Sequence, residues 1–174
     1  GAEAIQRVIG TLDGALGKPG HLLKDTVHGT RVLGHPLHPA VTDIPLGAWT
    51  VGVMADWAAH VTTAVPHQVG DFALAVGVLA GLLAVASGAT DFRDTYGQER
   101  RYGFTHGLLM TSAMTVMVAS LGVRWLWGGD GSVLAAVLAT VGLVVGVGGA
   151  YFGGHLPFAL APMANPLAFP DGPH

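Results

Sequence analysis

His35 and His38 lie three residues apart in Gly34-His35-Pro36-Leu37-His38-Pro39, a polar, proline-stiffened segment that runs straight into an apolar stretch reaching Trp57. His106 falls within the first turn of a later apolar run, His155 ends another, and Asp91 and Arg93 follow a third. Imidazole at the mouth of a membrane-spanning segment is costly and needs a reason. The chain has no cysteine, so thiolate sites are excluded and histidine and carboxylate remain as the strong ligands. A b-type haem uses two neutral imidazoles on opposite sides of the iron, a slot lined by small and apolar residues, and cations near its propionates. His38 and His106 are the first-choice pair for that chemistry. His35 and His155 are alternates, ligands of a second haem, or partners of the ligands, and Arg31, Arg93, Arg100 and Arg101 suit the propionates. A zinc, iron or manganese site is the rival, built from the same histidines with Asp43 or Asp91. In a third reading no cofactor is bound, and the histidines cap helix ends and face interfacial water.

The elements that must position these residues are set by composition. Hydrophobic residues make up 51% of the chain and charged residues 11%, and the mean hydropathy is +0.52. This is the composition of an integral membrane protein. The few Lys and Arg residues are scattered, which argues against a nucleic-acid partner. Four apolar runs, at about residues 40–60, 71–90, 104–124 and 132–153, are each near the length a helix needs to cross a bilayer. Short links between them predict an all-α, up-down-up-down four-helix bundle over residues 34–156. Arg7, Lys18, Lys24, Arg31, Arg93, Arg100 and Arg101 fall on one side of that topology and Arg124 alone on the other, so the positive-inside rule places both termini in the cytoplasm. His35, His38, Asp91, His106 and His155 then share the cytoplasmic end.

Before the bundle, Ala4, Ile5, Val8, Ile9, Leu12 and Leu16 recur at helical spacing within residues 1–33. They predict an amphipathic helix that lies on the bilayer surface or on the protein's own cytoplasmic face. A proline-rich tail occupies residues 157–174. Gly77, Gly81, Ala84, Gly88 and Asp91 line one face of the second span, and Gly142, Gly146, Gly149 and Gly153 line one face of the fourth. Such stripes admit a neighbouring helix or a flat macrocycle. Asp56, beside Trp57 and His60 near the far interface, reads as a solvated carboxylate or as part of a proton path. Met110, Met114 and Met117 read as filler, and Trp57, Trp125 and Trp127 as interfacial anchors.

Gly-His-Pro-Leu-His-Pro-Ala-Val-Thr-Asp-Ile-Pro-Leu-Gly-Ala-Trp at 34–49, Gly-Phe-Thr-His-Gly-Leu-Leu at 103–109 and Gly-Ala-Tyr-Phe-Gly-Gly-His-Leu at 149–156 resemble a bacterial membrane family catalogued as domain of unknown function 2231. The resemblance implies a four-helix membrane domain of the bacterial inner membrane. Because some members of that family carry a Rieske iron–sulfur domain, it also implies redox company. The family's first-helix and third-helix histidines match His38 and His106, and Gly153, Gly154, His155 and Leu156 match its fourth-helix ending. Many relatives have histidine where this chain has Asp43, and the Rieske ligand motifs are missing here. A Rieske-type protein or a respiratory complex would then be a separate redox partner, with quinone on the lipid side. The expectation is a membrane b-type cytochrome, an electron carrier or complex subunit rather than a stand-alone enzyme. A cofactor-free accessory subunit is the alternative.

Overall fold

The computed structural model describes residues 1–11, 37–93, 95–126 and 132–156. Arg31, His35, Leu12, Leu16, Trp127 and the tail at 157–174 lie outside the described residues. The described residues are helical, with no strand among them. Helix α1 covers residues 2–11, α2 is Leu37–Val41, α3 Asp43–Val61, α4 His67–Arg93, α5 Gly97–Leu126 and α6 Val133–His155.

Local chemistry explains the boundaries. Thr42 interrupts the first apolar run and separates α2 from α3. Pro45 therefore falls in the first turn of α3, where a backbone N–H has no helical acceptor in any case and its loss costs nothing. At Gly97 φ is +53°, a left-handed conformation that favours glycine, and it starts α5 seven residues before the apolar run suggests. Ser132 caps α6, its side chain accepting from the N–H of Ala135.

Helices α4, α5 and α6, of 27, 30 and 23 residues, are long and apolar enough to cross a membrane. Helix α3 is 19 residues long and falls outside that set of three. Large apolar side chains cover the outside, among them Met54, Phe72, Leu79, Leu82, Val144 and Val147. The interior is built instead around Trp49, Leu74, Ala113, Met114, Met117 and Ala139. Large apolar residues outside, and an interior where Trp49, Leu74 and the methionines pack on glycines and alanines, suit a protein solvated by lipid, where helices associate by close approach rather than by hiding hydrocarbon from water.

The helices pack chiefly as two hairpins, α3 with α4 and α5 with α6, and less extensively between hairpins. Contacts in the first pair run in reverse order: His38 lies against Gly88, Trp49 against Gly77, and Asp56 against Gly70. In the second, His106 lies against Gly153, Met110 against Gly149, and Met117 against Gly142. Each pair is thus antiparallel. The glycine stripes are filled by side chains of the neighbouring helix, so on the described residues their role is to admit those side chains rather than a flat macrocycle.

Helix α1 sits on the end of the protein that carries His38 and His106. Gln6 donates to the carbonyls of Phe92 and Thr95 at 3.0 and 3.2 Å, and Arg100 reaches Glu3 at 3.4 Å. Ile5 and Val8 remain exposed. Polar side chains attach this helix to the protein and leave two of its apolar residues free.

Candidate functional site

His38 enters from α2 and lays its ring on Gly88 of α4, where an added Cβ would come within 2.7 Å of Cε1. Its Nδ1 is 2.8 Å from the carbonyl oxygen of Ala84. His106 of α5 repeats the arrangement on the second hairpin. Its ring lies on Gly153 with Nδ1 2.7 Å from the Cβ position there, and Nδ1 is 2.8 Å from the carbonyl oxygen of Gly149. A carbonyl only accepts, so each Nδ1 must carry the proton. That tautomer leaves Nε2 of both imidazoles with its lone pair.

The two rings meet across the hairpin interface, 6.0 Å between centroids and 78° between planes. Ser87, fully buried next to Gly88, lies 3.5 Å from Nδ1 of His38 and donates to the carbonyls of Leu83 and Ala84. The pair is therefore held by backbone acceptors on both sides. Backbone or carboxylate hydrogen bonds of this kind orient metal-ligating histidines and fix which nitrogen is free.

The other candidates are distributed around the same end. His155 stacks on Tyr102 with centroids 5.2 Å apart and planes 6° apart, and its Nδ1 donates to the carbonyl of Tyr151. It belongs to an aromatic cluster with Tyr151 and Phe152. Asp43 is exposed at the start of α3, while Asp91 and Arg93 are half-buried in the last turn of α4. Arg100 pairs with Glu3 and lies over the Tyr96 ring, and Arg101 is exposed beside it. Among the described residues, no three His, Cys, Asp or Glu side chains come together at metal-binding spacing.

A second polar assembly occupies the opposite end, and sequence reading undervalued it. Asp56, read from the sequence as a solvated carboxylate or part of a proton path, is 1% exposed, and Arg124, read as a lone topology marker, is 4% exposed. Arg124 binds both carboxylate oxygens of Asp56, and its Nη1 also reaches Asp71 at 2.7 Å. Its Nε and Nη2 each donate to Ser120 at 3.3 Å, and the Ser120 hydroxyl donates in turn to the carbonyl of Ala135 at 2.7 Å. The signal that could have found this cluster was the position of Arg124, the only basic residue assigned to that side, opposite Asp56 and Asp71 in an antiparallel arrangement.

The model of one family, described as a predicted membrane protein and a domain of unknown function (DUF2231), matches residues 34–161. The chain belongs to this family. The match covers α2 to α6, so both the histidine pair and the Asp56–Arg124 cluster lie inside the family domain. No curated protein and no solved structure matches the chain.

Proposed function

We propose that this DUF2231 domain is a b-type cytochrome-like electron-transfer component of the bacterial inner membrane, in which His38 and His106 would hold one haem. The observation that carries the reading is the pairing of two Nδ1-protonated imidazoles, one on each hairpin, with their centroids 6.0 Å apart. These two imidazoles are the residues that would hold the iron of a haem if one is bound. The donor count favours the same choice. A structural zinc ion takes four protein ligands and a catalytic one three, whereas a haem would need only two, which His38 and His106 could supply.

When bound, haem supplies one-electron chemistry. The chain's own contribution is to hold the ligand tautomer through Ala84 and Gly149, to shield the pair within the hairpin interface, and to offer Arg93, Arg100 and Arg101 at the same end for propionates. In this reading α3 is a fourth span, its Asp56 neutralised by Arg124, and the basic end faces the cytoplasm. A Rieske-type protein or a respiratory complex is the proposed redox partner, with quinone on the lipid side.

The test is the visible spectrum of the full chain purified after expression with adequate haem. A Soret band that is lost in His38→Ala and in His106→Ala supports the reading. A colourless preparation overturns it. A cofactor-free accessory subunit is the second reading, favoured by the way the two rings already fill the space over Gly88 and Gly153. Elemental analysis showing neither iron nor another stoichiometric metal would select it.

A further inference from the structure

We propose that the Asp56–Arg124–Asp71 cluster binds one exchangeable proton on Asp71, taken from the aqueous phase at the end opposite the histidine pair. Two carboxylates share a single guanidinium here, so the assembly carries one surplus negative charge in an apolar bundle. The two carboxylates are not equivalent. Asp56 engages both terminal nitrogens of Arg124 and is 1% exposed. Asp71 accepts one hydrogen bond from Arg124, through Oδ1, and its side chain is 15% exposed.

Every N–H of the guanidinium is already used: two on Asp56, one on Asp71 and two on Ser120. Arg124 therefore has no further donor for Oδ2 of Asp71. A charge of this kind away from bulk water is relieved by a counter-cation or by a proton. The Arg–Asp56 fork satisfies itself, which leaves Asp71 as the group that takes the proton.

The titratable groups around it come from each packed element. Helix α3 contributes Asp56 and His60, α4 His67 and Asp71, and α5 Arg124, while α6 has no ionisable side chain at this end. Asp130 lies outside the described residues. His67 is one helical turn before Asp71, and His60 is one turn after Asp56 with Nδ1 donating to the Asp56 carbonyl at 2.8 Å. Their rings meet at 5.2 Å between centroids. His60 and His67 thus flank the cluster beside Asp56 and Asp71. The reaction is a simple uptake: a proton from water adds to the Asp71 carboxylate, and no other bond changes. It is independent of whether haem occupies the site at the other end.

The experiment is difference infrared spectroscopy of the full chain in lipid nanodiscs, titrated with pH in light and heavy water, on wild type, Asp71→Asn and Asp56→Asn. The expected result is a deuterium-sensitive carboxyl C=O band that titrates in wild type and disappears in Asp71→Asn, with the thermal midpoint of Asp71→Asn equal to or above wild type. Absence of a titrating band in folded wild type overturns the proposal, as does its persistence in Asp71→Asn. Failure of Asp71→Asn to fold also overturns it, because Asp71 would then be a permanently ionised partner of Arg124.

Discussion

Arg124 on α5 grips both carboxylate oxygens of Asp56 on α3, and with Asp71, Ser120 and Ala135 this one side chain links all four long helices. Arg124 is buried and faces both carboxylates, so removing it strands the charges of Asp56 and Asp71 together. Arg124→Ala is expected to destabilise the protein by about 3–5 kcal/mol, read from unfolding in mixed micelles. Gly70→Ala is expected to act the same way, because its Cβ would collide with Oδ1 of Asp56.

Gly88 and Gly153 seat the two imidazoles. An added methyl group would lie 2.7 Å from the nearest ring atom in each case, against the ring itself rather than the end of a flexible chain. Gly88→Ala and Gly153→Ala should therefore displace His38 and His106 and, on the proposed haem reading, lower haem occupancy or shift the spectrum while the helical content is kept. Gly107→Ala and Gly148→Ala are the controls, since nothing lies within 4 Å of either Cβ position. Those two should leave the spectrum unchanged and alter stability by no more than about 1 kcal/mol.

Trp49 is 1% exposed at the centre of the core, and its indole N–H is buried without a hydrogen-bond partner among the described residues. Trp49→Phe keeps most of the packing and removes the unpaired donor. Its expected cost is below about 1.5 kcal/mol, whereas Trp49→Ala, which opens a cavity between Gly77, Gly81 and Gly146, should cost about 3–5 kcal/mol. Chemical denaturation in detergent separates the two.

His155 is tied into the Tyr102 stack rather than into the His38–His106 pair. His155→Ala is accordingly expected to retain any haem spectrum that His38→Ala and His106→Ala abolish. Equal loss in all three variants would move the ligand assignment to His155.

The sequence by itself determined the membrane class and the helical segments. Composition and a 3.6-residue period carry that information locally. The motif at 34–39 and His106 could likewise be assigned to helix mouths, because prolines and polar residues mark where apolar runs begin. Which histidines meet was a different matter. His38 and His106 are 68 positions apart, and only the reverse order of contacts in two hairpins brings their rings together while His155, on the same end, turns to Tyr102. The same holds for Asp56. Its neighbours Trp57 and His60 suggested water, but the residue that sets its environment is Arg124, supplied by another helix. Burial and ion pairing depend on atoms distant in the chain, so only the tertiary structure could decide them.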